Sequence, residues 1–239
     1  MALPLPDHRC TAHPFPVRGT GWLLCILLAL PVGGWAVPDW NFNTVLSRAE
    51  ARYGQLGSAD ERLRAWEAML ERSQSLPERQ QLEAVNRFFN RQLSFRSDQQ
   101  VWGVEDYWAT PVEALVKGAG DCEDYAIAKY FSLRRLGVPA QNLRITYVKA
   151  LQQRNQAHMV LTWYSEPSAD PLVLDNLRGE ILPASQRDDL LPVYAFSAEG
   201  VFIAANDGGQ VPSGDAKRLS RWQDVLHKMN AEGFAVGEG

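Results

Sequence analysis

Gly120-Asp121-Cys122-Glu123-Asp124-Tyr125-Ala126 is the stretch whose reading decides the fold of this chain. A glycine and a cluster of acids precede apolar positions at Tyr125, Ala126, Ala128, Tyr130, Phe131, Leu133 and Leu136, and Gly137 and Pro139 stop the run. That is the pattern of a helix with acids in its first turn and breakers past its last. It puts the Cys122 thiol on the first turn. Just upstream, Thr110-Pro111-Val112-Glu113 offers an N-cap, a proline at the first helical position and a Glu at the third, for a short helix ending near Lys117-Gly118.

Toward the amino end lie three more helical patterns. Residues 42–53 carry Phe42, Val45, Leu46 and Ala49 at helical spacing. Ser58-Ala59-Asp60-Glu61 has the form of a capping box and opens a helix to about Ser73, with Leu63, Trp66, Met69 and Leu70 on one face. Pro77 fits the first turn of a third helix, striped by Leu82, Val85, Phe88 and Phe89. Residues 93–108 show no period and hold Trp102, Tyr107 and Trp108.

Beyond Pro139 the period becomes that of strands, at 143–148, 157–164 and 172–175. A hairpin is expected from 193–196 and 201–204 around Ala198-Glu199-Gly200, then a polar loop with Gly208, Gly209, Pro212 and Gly214, then a helix over 219–229. Helices first and consecutive strands after predict an α+β fold with an antiparallel sheet.

The first thirty-six residues read as a signal peptide. Arg9 and Arg18 precede the apolar run Trp22–Leu30, and Gly34-Trp35-Ala36 supplies small residues for cleavage after Ala36. The run falls short of the roughly 20 residues of a membrane span, which leaves an uncleaved anchor as the alternative. The expected mature domain, 37–239, is large enough for a full core. Its leader takes away Cys10, Cys25, His8 and His13, so Cys122, His158 and His227 remain. The net charge of −4, with no basic run, argues against nucleic acid or anionic lipid as a partner.

A lone thiol in an exported chain has no internal disulfide partner, and its ordinary role is that of a buried small hydrophobe. At a helix start it gains thiolate character and sits beside N–H groups able to hold an oxyanion. Such a nucleophile needs a base held by a third group. If the hairpin after the second strand turns about Glu166-Pro167, position 158 lies opposite 175, and His158 and Asp175 share a face. A one-residue slip would part them. Each has a plainer reading: a satisfied strand histidine, and an Asp-Asn turn opening. His227, on the polar side of its helix, is expected in solvent.

Asp121 suits the N-cap, and Glu123 and Asp124 suit a helix first turn. Three carboxylates around a thiol nevertheless oppose its ionisation. A hard cation such as Ca²⁺ would neutralise them, although no EF-hand loop is present.

The segment Tyr107-Trp108-Ala109-Thr110-Pro111-Val112-Glu113-Ala114-Leu115, Gly118 and the 120–130 stretch, with Ala157-His158-Met159-Val160-Leu161 and Leu174-Asp175-Asn176, resembles the LapG-type bacterial transglutaminase-like cysteine proteinases. The resemblance spans essentially the whole expected mature domain, with no departure at these positions. It implies a papain-like fold in the broad sense, with the Cys helix packed on the antiparallel sheet. It also implies a catalytic triad of Cys122, His158 and Asp175 and a calcium site using Asp121 and Glu123, with Asp124 left open. It further implies a periplasmic endopeptidase that clips the N-terminal region of a large surface adhesin near paired alanines, releasing biofilm cells. An inner-membrane cyclic di-GMP receptor of the LapD type would restrain it. Two alternatives stay open: another Cys-His-Asp acyl-transfer enzyme, such as a cell-wall amidase or a transglutaminase, and a non-catalytic periplasmic binding module.

Overall fold

In the computed structural model, residues 40–153, 156–197, 200–204, 210–214 and 219–234 are described. The expected leader and its cleavage point lie outside them, as do Ala198 and Glu199 of the hairpin turn and Gly208 and Gly209 of the polar loop. Three helices come first. Helix α1 (Phe42–Tyr53) starts at Asn41, whose Oδ1 accepts the Thr44 N–H at 3.2 Å. Helix α2 (Ser58–Ser73) starts differently from expectation. Gly57, at φ 52°, is its N-cap, so Ser58 already lies inside and its Oγ accepts from Arg62 at 3.2 Å instead of capping. Pro77 stands at the N-cap of α3 (Glu78–Gln92), one position before the first turn.

The aperiodic segment holds two short elements, β1 (Ser94–Phe95) and α4 (Asp98–Val101), the latter closed by a Ser97–Gln100 capping box. Neither is long enough to show a period. Helix α5 (Pro111–Lys117) follows the sequence closely. Thr110 Oγ1 accepts the Glu113 N–H at 3.1 Å, Glu113 Oε2 accepts the Thr110 N–H at 3.0 Å, and Gly118 at φ 62° ends the helix.

Strand β2 (Ala119–Gly120) pairs in parallel with β1 and delivers the chain into α6 (Cys122–Arg135). Asp124 packs so closely that a Cβ on Gly120 would stand 2.5 Å from its Oδ2 and 2.8 Å from its Cβ. Only glycine fits there.

The strands are β3 (Leu143–Ala150), β4 (Gln156–Trp163), β5 (Leu172–Leu174), β6 (Leu182–Pro183), β7 (Leu190–Ser197), β8 (Gly200–Ala204) and β9 (Gln210–Gly214). They form one antiparallel sheet in the order β6-β5-β4-β3-β7-β8-β9. Strand β9 occupies the carboxyl-terminal part of the expected polar loop, where glycines and Pro212 conceal a strand adding to β8. Helix α7 (Ser220–Glu232) closes the described chain, with His227 exposed as expected.

Helix α6 is the centre of the fold. Every residue from Asp124 to Leu133 is buried, because α3 and α5 cover one side and β3 and β4 the other. The α+β reading, with the Cys helix on an antiparallel sheet, holds. Trp66 is fully buried, with Phe42 at 5.2 Å, Trp40 at 5.5 Å and Phe234 at 5.9 Å between ring centroids. Its indole N–H donates to Ser132 Oγ on α6 at 2.9 Å, which ties the helical layer to the central helix. Among the described residues no helix is long and apolar enough to cross a membrane.

Candidate active site

Cys122 is the first residue of α6, with Asp121 at the N-cap in a capping box with Asp124. This local structure follows from the chemistry of the run: Asp121 and Asp124 satisfy each other's backbone N–H groups, and the apolar residues that follow drive the helix into the core. The thiol is half-buried and donates to Glu123 Oε2 at 3.0 Å. Burial pushes its pKa well above the ordinary thiol value, and the Glu123 and Asp121 carboxylates add to that. The Met159 backbone N–H acts on the sulfur in the opposite direction. That contact sets Cys122 beside β4, one residue from His158.

His158 and Asp175 meet as expected, by a different register. Leu161 pairs with Leu174 and Trp163 with Leu172, so position 160, not 158, faces position 175. The turn sits one residue further along the chain than Glu166-Pro167, a shift of two in pairing. A shift of two preserves the face, and the pair forms diagonally. His158 Nε2 lies 2.8 Å from Asp175 Oδ1, with both side chains buried. Asp175 also accepts the Leu177 N–H on Oδ1 at 3.0 Å and the Arg187 guanidinium on Oδ2 at 2.7 Å. Burial alone would raise the pKa of this carboxyl; the hydrogen bond and charge of His158, then Arg187, hold it far below the usual range. An ionised Asp175 requires a donor from Nε2, which leaves Nδ1 of a neutral imidazole as the free base.

The acids at the helix start are in the opposite condition. Asp98, Asp121 and Asp124 each bring a carboxylate oxygen within 4.8 Å of the others, as do Asp98, Asp106 and Glu123. Burial, and then Glu123, raise Asp121; burial raises Asp98 to about 6 against the pull of the Tyr107 N–H; burial raises Asp124 strongly. Asp124 has both oxygens engaged, Oδ1 by the Ala109 N–H at 2.7 Å and Oδ2 by the Asp121 N–H at 3.2 Å. Asp98 Oδ1 and Asp121 Oδ1 are buried with no partner. Arg221 pairs with Asp106 alone at the exposed rim, its Nε donating to Oδ2 at 3.0 Å; the clustered hard oxygens with orphaned lone pairs behind it fit a divalent oxygen-seeking ion such as Ca²⁺.

Asp98 was not legible as a site residue. Its only signal was Ser97-Asp98-Gln99-Gln100, a capping sequence opening a helix of four residues. Arg187, buried between Asp175 and Asp189, gave no signal, nor did Asn90, whose Nδ2 donates to the Asp175 carbonyl at 2.8 Å. Lys129, two turns beyond Cys122, is fully buried, and its pKa is lowered to about 7 by burial, with Asp175 opposing.

Comparison with protein families finds a match over residues 61–189 to the bacterial transglutaminase-like cysteine proteinases. Among solved structures, Legionella pneumophila LapG aligns at 42% identity with a TM-score of 0.68, covering 80% of this chain and 99% of that one. An EGTA-treated form of that protein gives 42% and 0.69 over the same shares. A calcium-bound form gives 40% and 0.67, over 79% and 99%. Comparison with curated proteins finds no match.

Proposed function

This chain belongs to the bacterial transglutaminase-like cysteine proteinases, and on that premise we propose that it is a calcium-dependent endopeptidase of the periplasm. The family implies a protein substrate. We take that substrate to be the N-terminal region of a large surface adhesin, cut near paired alanines so that the adhesin and the biofilm cells it holds are released. A LapD-type inner-membrane receptor of cyclic di-GMP is the proposed restraint. The likeness to LapG over most of the chain and the export signal read in residues 1–36 support this assignment.

The observation that carries the chemistry is the His158–Asp175 pair at 2.8 Å, one residue from the Met159 N–H that acts on the Cys122 sulfur. Asp175 takes the Nε2–H and fixes the imidazole. Nδ1 accepts the thiol proton as Sγ attacks the scissile carbonyl, and the oxyanion forms near the Cys122 backbone N–H, which the capping box leaves free. The indole N–H groups of Trp102, whose Nε1 is buried without a partner, and of Trp108 are the candidates for the second oxyanion donor. His158 then protonates the leaving amine, and the same nitrogen activates water to hydrolyse the thioester. Asp98, Asp121 and Glu123 would hold calcium, with Asp124 framing the site. A bound ion would supply positive charge among these acids, which would then oppose ionisation of Cys122 less.

The test mixes the protein with an adhesin N-terminal fragment, with calcium or with EGTA, and sequences the new terminus. Cleavage is expected with calcium only, and Cys122→Ala should abolish it while leaving the circular dichroism spectrum intact. Retained cleavage by that variant would sink the assignment. A conjugate heavier than the substrate would instead identify a transglutaminase.

A further inference from the structure

Asp175 Oδ1 is shared by His158 and Leu177, but Oδ2 has one donor, Arg187 Nη2. Without Arg187 that oxygen would be buried and unpaired, and the carboxylate would be free to turn away from His158 to satisfy it. Arg187 is itself locked: Nε donates to Asp189 Oδ1 and Nη2 to Asp189 Oδ2, each at 2.8 Å. Asp189 is tied in turn, its carbonyl accepting the Leu151 N–H at 2.8 Å at the end of β3. Stability alone accounts poorly for this arrangement. The guanidinium side chain is only 2% exposed, its Nη1 has no partner, and an apolar side chain of similar volume avoids that desolvation.

We propose that Arg187 is a positioning residue of the catalytic pair. Braced by Asp189, it fixes the Asp175 carboxylate so that His158 keeps its proton on Nε2 and presents Nδ1 to Cys122. This rests on the assignment of Cys122, His158 and Asp175 made above. Arg187 is buried, with its side-chain bonds going to Asp175 and Asp189, so its effect should fall on kcat and not on KM.

The experiment compares wild type with Arg187→Lys, Arg187→Ala and Asp189→Asn on the adhesin fragment in calcium. Melting temperature corrects for any loss of folded protein. Arg187→Ala should lower kcat roughly 100-fold with KM nearly unchanged, and methylguanidine in the buffer should restore part of it. Arg187→Lys keeps the charge but loses the fork and should fall roughly 10-fold. Asp189→Asn, at a residue about a fifth exposed, should fall severalfold and remains informative if Arg187→Ala does not fold. Independently of substrate, imidazole ¹⁵N shifts of His158 should report the Nε2–H tautomer in wild type and a mixture in the variants. An unchanged tautomer with kcat within about twofold of wild type in Arg187→Lys and Asp189→Asn overturns the proposal. Wild type that does not cleave while the tautomer responds to Arg187 would overturn the protease reading and leave the positioning role standing.

Discussion

Asp175 on one wall of the site and the acids around the start of α6 on another are both withdrawn from water, yet they are in opposite electrostatic states. At the end of β5, Asp175 has a histidine, a guanidinium and a backbone N–H, and its pKa is driven down. At the start of α6, Asp98, Asp121 and Asp124 have one another and Glu123, and their pKa values are driven up. Burial pushes every one of them the same way. The neighbours decide the sign. The first wall is complete within the protein, whereas the second keeps an excess of carboxylates that Arg221 at its rim does not offset, which is where a cation belongs.

Asp175→Asn tests the complete wall most severely. The amide keeps the shape but cannot hold an imidazolium, and kcat should fall roughly 10³- to 10⁴-fold in single-turnover assays, with little change in calcium affinity. Asp98→Asn tests the other wall. Calcium affinity by titration calorimetry should weaken roughly 10- to 100-fold. The calcium-free variant should melt no lower than calcium-free wild type, because a repulsion has been removed with the ligand. Wild type itself should gain about 2.7 kcal/mol from calcium at 100 times its Kd, read as a rise in melting temperature reversed by EGTA. If chelation leaves melting unchanged, the acids only cap the helix.

Gly120→Ala should cost about 1–3 kcal/mol by forcing Asp124 off the Asp121 and Ala109 N–H groups, measured by urea unfolding. The smallest effect comes from a third carboxyl, with mixed neighbours. Burial raises Glu232 to about 8, while the Thr110 hydroxyl at 2.8 Å, Arg52 and Lys228 oppose the rise. The folded state therefore holds this proton more tightly than the unfolded chain. Its stabilising share is full below the ordinary carboxyl value and is lost as pH rises through about 8. Wild-type melting temperature should fall across that window, and Glu232→Gln should flatten the profile.

What could be read in advance follows the range of the forces involved. Thr110-Pro111-Val112-Glu113 and Asp121-Cys122-Glu123-Asp124 announce helix starts because caps act within four residues. His158 and Asp175 could be placed on one face because a strand alternates strictly. Their exact partners could not be read, since pairing depends on how residues 164–171 turn. Ser58 misled because Gly57 had already reversed the chain with a positive φ. Asp98 and Arg187 become visible only once the fold brings 98 to 121 and 187 to 175, across separations that no local pattern spans. Strand β9 was hidden because an edge partner tolerates glycine and proline that a central strand would not.

The two ends of the described chain finish each other. Trp40 meets Phe234 at 4.6 Å, and Arg48 donates to the carbonyls of Asn230 and Ala231 at the end of α7. Trp66, at the centre of the helical layer, touches both. The domain is thus closed like a clasp, and Trp40 and the start of α1 stay wet until α7 arrives. Helix α6 rests on the same core, with Trp222 of α7 against Tyr130 and Phe131, so that core seals only when residues 222–234 are in place. The same closeness makes a circular permutant, joined from 234 to 40 by a short linker and opened at an exposed turn, a feasible way to study the site in a rearranged chain.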